Sequence, residues 1–196
     1  MCHLLGDFLE SVKKDFSKAA TIYRSTCDDY KFSRSCHKYA GYSLAGKGCT
    51  EDHPTALSYF QKGCSLGEGD SCLYAGLMKI AENDKIKVKK DYPEGINFLN
   101  ASCDKGNNTG CYYLSGLYLT GVPNVMEKDM SKAFEYTNKA CELGNIFACA
   151  NLSQMYKRGE GVEKNEELAD KLRAKTKEME QQLQAKFRPI EMEQGT

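Results

Sequence analysis

The 196-residue chain has no tryptophan, only four prolines and three histidines, and no net formal charge. The charge balance removes the whole-chain field that draws proteins to nucleic acid or to an anionic membrane. No apolar run approaches the roughly 20 residues that a membrane-spanning helix needs. The opening MCHLLGDFLES lacks the basic start and long apolar core of a secretory signal. It also lacks the Arg-rich, acid-poor character of a matrix-targeting peptide. There is no C-x-x-C, the spacing that catalytic dithiols favour.

What is abundant is cysteine, ten in all. Eight form pairs eight or nine positions apart: Cys27 and Cys36, Cys64 and Cys72, Cys103 and Cys111, Cys141 and Cys149. Equivalent members recur every 36 to 39 residues, and Cys2 falls in the column of the second members. A period near 38 is in the range of helical solenoids. Other columns keep the same register. Gly6, Ala40, Gly76, Ser115 and Ser153 are all small, and Leu5, Tyr39, Ala75, Leu114 and Leu152 precede them. A second small column holds Ala19, Ala56, Gly95, Ala133 and Ala169, accompanied by Ile22, Tyr59, Phe98, Tyr136 and Leu172. Small residues in register let two helices approach closely, and large neighbours fill the seam.

Each unit reads as two helices. Helix A begins near the second cysteine and ends near Gly46, Asn83, Gly121 or Gly159. Helix B follows a capping side chain at Asp15, Asp91, Asp129 or Asn165, or carries Pro54 in its first turn. Helix B ends just past the first cysteine, with Gly67, Gly106 and Gly144 placed as left-handed caps. Each cysteine pair therefore spans the turn from helix B of one unit to helix A of the next.

Three chemistries compete for those pairs. Zinc favours C-x2-4-C spacing and four converging ligands, and the chain has three histidines in all. Redox catalysis favours C-x-x-C. Disulfide stapling fits two adjacent antiparallel helix ends, where Cα atoms can come within the required range. Closing a loop of about nine residues is worth about 2.5 kcal/mol in the chain-entropy model. Stapling requires an oxidising setting. Cys2 and Cys49 are left over and are expected to be free thiols, because about a dozen helical residues separate their levels along the solenoid. Cys49 sits in a loop and is the stronger candidate for a reactive thiol. Cys2 lacks an upstream partner, so the chain reads as if it starts inside a repeat.

The columns together resemble Sel1-like repeats. The closest matches are the loop GEGVEKN and the helix KDMSKAFEYTNKAC. Two cysteine-bearing branches fit, one of secreted bacterial proteins and one of mitochondrial respiratory-chain assembly factors. The stretch KACELGNIFACANLSQMYKRGEGVEKNEE is more similar to the mitochondrial branch. The resemblance implies an all-α, TPR-like solenoid of αα-hairpins stapled by disulfides at the four pairs named above. It implies residence in the mitochondrial intermembrane space, reached through the oxidative import machinery. It implies a non-enzymatic scaffold for respiratory-chain assembly, chiefly of cytochrome c oxidase, with respiratory-chain subunits or other assembly factors as partners. The alternative within the same pathway is a thiol–disulfide reductase or haem-handling factor. The secreted bacterial reading needs an export signal. Cys49 stands where the mitochondrial branch usually has glycine or an aliphatic residue.

In this reading the solenoid covers residues 1–177, about four and a half units, and 178–196 is a helical extension with a frayed tail. Leu168, Leu172, Met179, Leu183 and Phe187 form a stripe at helical spacing, of which the first two turns cap the last repeat. Tyr42, Tyr74 and Tyr112 are candidate partner-binding residues on a concave helix-A face; Tyr118 and Tyr156 also serve inter-unit packing. Two S-x-x-K matches, Ser11 to Lys14 and Ser35 to Lys38, lack the companion motifs of serine-active enzymes. Cys2-His3 and Cys36-His37 are not C-x-x-C-H haem-attachment motifs. No cofactor is required, though His37, His53 or a methionine could serve a transient haem site.

Overall fold

The computed structural model describes residues 2–81 and 85–187, with side chains through residue 185. The expected helix end near Asn83, the Phe187 side chain and the tail from residue 188 lie outside the described residues. Among the described residues ten helices follow in order: α1 (Cys2–Ser11), α2 (Phe16–Tyr30), α3 (Ser33–Ala45), α4 (His53–Ser65), α5 (Gly69–Ile80), α6 (Tyr92–Asp104), α7 (Asn108–Thr120), α8 (Met130–Glu142), α9 (Ile146–Arg158) and α10 (Glu166–Phe187). Odd-numbered helices are the A helices and even-numbered ones the B helices. Each packs chiefly on its neighbours in sequence, as a solenoid requires.

The local signals act as the sequence leads one to expect. Asp15, Asp91 and Asp129 each accept a hydrogen bond from the backbone N–H three residues on, as does Asn165. Asp52 does the same before Pro54. Such caps satisfy otherwise orphaned amides, each worth about 1 kcal/mol. Gly67, Gly106 and Gly144 take φ of +96°, +80° and +90° at the B-to-A turns. The first turn has no glycine there. Lys31 adopts the left-handed conformation instead, with φ of +52°.

The small columns are contact points between helix A and helix B. The Ser153 hydroxyl of α9 donates to the Ala169 carbonyl of α10 at 2.7 Å. Ala19, Ala40, Ala56 and Ala133 are fully buried. The interior falls into three clusters along the chain. Tyr23, Tyr39 and Tyr42 lead the first, Phe60 and Met78 the second, and Leu99, Leu114 and Leu152 the third. Burying each large side chain contributes roughly 1.5–3 kcal/mol.

The last helix departs from its expected stripe. Ala169 and Thr176 are buried, and Leu172 and Met179 pack against the third cluster, while Leu168 and Leu183 are exposed. The inward line is therefore 169, 172, 176 and 179, following the small column rather than the leucines. Packing continues past residue 177 to Met179. No described helix is long and apolar enough to cross a membrane.

Candidate partner-binding surface

The cysteine pairs fix the angle between units. Cys27–Cys36 is bonded with a Cα separation of 4.8 Å, and Cys64–Cys72, Cys103–Cys111 and Cys141–Cys149 at 4.6 Å each. All eight residues are buried. Cys36 is thereby withdrawn from any role as a thiolate ligand. Cys2 and Cys49 are free. Cys2 is exposed, whereas Cys49 is half-buried and packs against the first cluster, so its loop does not present it openly as expected. Among the described residues, no three His, Cys, Asp or Glu side chains converge as a metal site.

Hydrogen bonds reinforce the junctions. The Tyr59 hydroxyl donates to Asp28 at 2.8 Å and Lys62 pairs with the same carboxylate at 2.6 Å, linking α4 to α2. Tyr136 and Lys139 repeat the arrangement on Asn100 and Asp104, linking α8 to α6. Along the A helices, His3 Nδ1 meets the Ser35 hydroxyl at 2.9 Å and His37 Nδ1 meets Ser71 at 3.1 Å. Burial holds both imidazoles below their ordinary pKa, so they are largely neutral at pH 7.

Glu10 anchors the first unit to the second. It pairs with Lys38 at 2.8 Å and Lys47 at 2.9 Å and accepts from the Tyr23 hydroxyl at 3.0 Å. Burial alone would raise its pKa, but the bonds from Lys38, Lys47 and Tyr23 outweigh it and hold the carboxyl down to about 2. The S-x-x-K matches are not assembled as reactive pairs. Lys38 is engaged with Glu10, Ser35 is buried against His3, and the Ser11 hydroxyl donates to the Asp7 carbonyl. A groove of about 590 Å³ crosses this end of the A helices, lined by His3, Asp7, Glu10, Arg34, His37, Lys38, Glu68 and Asp70.

The tyrosine candidates separate clearly. Tyr42 is a correction: it is 4% exposed and its ring meets Tyr23 edge-on at 5.6 Å, so it is core. Its place six residues after Cys36 matches Met78 and Met155, which are also buried. Tyr74 is 42% exposed, with one face stacked on Phe60 at 5.1 Å. Tyr112 is half-buried against the third cluster, and its neighbour Tyr113 is the exposed ring, at 42%. Tyr118 stacks on Tyr136 and Tyr156 meets Phe134 edge-on, both as packing between helices A and B. Phe147, at 71% exposure, is an unpredicted member of the surface. The available face thus comprises Tyr74 on α5, Tyr113 on α7 and Phe147 on α9, with Tyr112 between the last two at 6.4 and 6.3 Å.

The family model described as Sel1 repeat matches five segments, residues 1–29, 33–68, 70–107, 109–145 and 146–169. The first four segments each hold one A–B pair of the structure, and the fifth holds α9 and the first turn of α10. The chain is 36% identical over 196 residues to cytochrome c oxidase assembly factor 7 of Xenopus tropicalis, covering 96% of this chain and 83% of that protein. It is 42% identical over 124 residues to the cytochrome c oxidase assembly factor 7 homolog of Drosophila melanogaster, covering 62% of this chain and 47% of that protein. Among solved structures, a Sel1 repeat protein from Oxalobacter formigenes superposes with a TM-score of 0.78 at 22% identity, covering 90% of this chain and 71% of that one. That likeness shows the shared solenoid. With five matched repeats and relatives of one kind along nearly its whole length, the chain belongs to the Sel1 repeat family and, within it, to the cytochrome c oxidase assembly factor 7 family.

Proposed function

We propose that the chain assists the assembly of cytochrome c oxidase as a non-enzymatic scaffold in the mitochondrial intermembrane space, working without a cofactor. The observation that carries the reading is its likeness to relatives named for that assembly, at 36% identity across 83% of one of them. The geometry supports a scaffold. Four disulfides stiffen the unit junctions, and three successive A helices present aromatic rings that no described element covers. Rigid aromatic anchors bind partners with little loss of side-chain freedom. An oxidising compartment accounts for buried disulfides. The partners in this reading are oxidase subunits or other assembly factors, and the import route is the oxidative relay of that compartment.

Ablating the gene and resolving respiratory complexes on native gels tests the role. Loss of assembled cytochrome c oxidase, restored by the wild-type chain, is expected; an unchanged level refutes it. Protease protection tests the location. The protein is expected to resist protease in intact mitochondria and to be digested once only the outer membrane is ruptured.

A further inference from the structure

A second cavity, of about 480 Å³, lies where the loop after α3 passes α2 and α4. Its size is within the roughly 300–1,000 Å³ of small-molecule sites. It contains Cys49, one of the two free thiols. It also contains Ser43, which is 1% exposed and whose hydroxyl has no hydrogen-bond partner among the described residues. A buried hydroxyl left unpaired costs about 1–3 kcal/mol, which a polar ligand atom in the cavity would relieve. Tyr39 and Tyr59, edge-to-face at 4.6 Å, contribute apolar lining. The charged lining is mixed: Arg24 provides a cation, Glu51 and Asp52 provide carboxylates. That set suits a zwitterion, with its carboxylate toward the guanidinium and its ammonium toward the acids.

We propose that this cavity is a thiolation site at which Cys49 reacts with small zwitterionic disulfides of the cystine or glutathione disulfide type. The Cys49 thiol loses its proton to solvent and the thiolate attacks one sulfur of the small disulfide. The S–S bond of that molecule breaks, a Cys49–S–S bond forms to one half, and the other half leaves as a thiolate that takes up a proton. Cys49 is oxidised to the mixed disulfide and the departing half is reduced; the small disulfide is the oxidant. Arg24 and Ser43 hold the retained half.

The test uses the full chain with its four disulfides intact. It is incubated with glutathione disulfide or with neutral 2-hydroxyethyl disulfide, and loading of Cys49 and of exposed Cys2 is followed by peptide mass. The rate with glutathione disulfide relative to the neutral reagent is expected to be higher at Cys49 than at Cys2, on the order of fivefold, the worth of one partly screened charge pair. Arg24→Gln is expected to remove that excess and to leave the Cys49 rate with the neutral reagent unchanged. The Arg24 side chain is 62% exposed, so the variant retains its fold, which circular dichroism checks. Equal rate ratios at the two cysteines, no loading of Cys49, or equal slowing of both reagents by Arg24→Gln would each overturn the proposal.

Discussion

A Cβ placed on Gly76 of α5 would stand 2.9 Å from the carbonyl oxygen of Gly95 on α6. Helices A and B of that unit meet through backbone, and neither residue can grow. Gly76→Ala is therefore expected to cost about 1–3 kcal/mol, because a backbone oxygen cannot move aside as a flexible side chain can. Gly116, inside α7, has open space where a Cβ would go. Gly116→Ala should stabilise by about 0.5–1 kcal/mol through helix propensity. Thermal unfolding of the two variants should shift in opposite directions, by about 2–4 °C per kcal/mol for a chain of this size.

Glu10 makes part of the stability pH-dependent. Its folded-state pKa of about 2 lies below the ordinary 4.5, so the unfolded chain takes up the proton first as pH falls. The contribution is full above pH 4.5 and is lost progressively as pH falls toward 2. With the half-exposed lysines screened by solvent, it is worth about 2 kcal/mol. Glu10→Gln should be destabilised by about that amount at pH 7. It should also show a shallower loss of stability than wild type across the acid window in denaturant titrations.

Replacing Cys64 and Cys72 together by alanine opens a loop of about nine residues and should cost about 2.5 kcal/mol. The effect should vanish when wild type and variant are compared under reducing conditions. Non-reducing peptide mapping of wild type should return the four intra-junction links, with Cys2 and Cys49 alkylated. Links across units would contradict the staple arrangement.

The face formed by Tyr74, Tyr113 and Phe147 and the core residue Tyr42 should respond differently to truncation. Phe147→Ala and Tyr113→Ala should leave the unfolding midpoint within about 0.5 kcal/mol of wild type, as surface changes do. Tyr42→Ala should lose about 3–4 kcal/mol by emptying a packed site. Urea titration distinguishes them.

The fold was legible because the repeat was. Small columns, capping acids and glycines recur in register, and local signals agree with the packing they serve. The surface is less legible because residue type and register point to different tyrosines. Tyr42 shares its column with Met78 and Met155, which marks a buried position. Tyr74 lies two residues past its cysteine, and the matching residue in the next unit is Tyr113, not Tyr112. The register marks Tyr113; Phe147 lies in another column and carries no such signal. In α10 the leucines suggest one stripe, yet the small residue Ala169 lies on the inward face, where the Ser153 hydroxyl of helix A reaches its carbonyl. Lys31 shows tertiary structure overriding local preference. The staple and the next helix hold it left-handed at a cost of roughly 1–2 kcal/mol.

The scaffold account is tested most directly by rescue with a surface variant. Cells lacking the gene are supplied with wild type or with the Tyr113→Ala/Phe147→Ala double variant at matched protein level, and assembled cytochrome c oxidase is quantified on native gels. The account predicts full recovery with wild type and a severalfold deficit with the double variant. Equal recovery by both would contradict a role for this face in holding a partner.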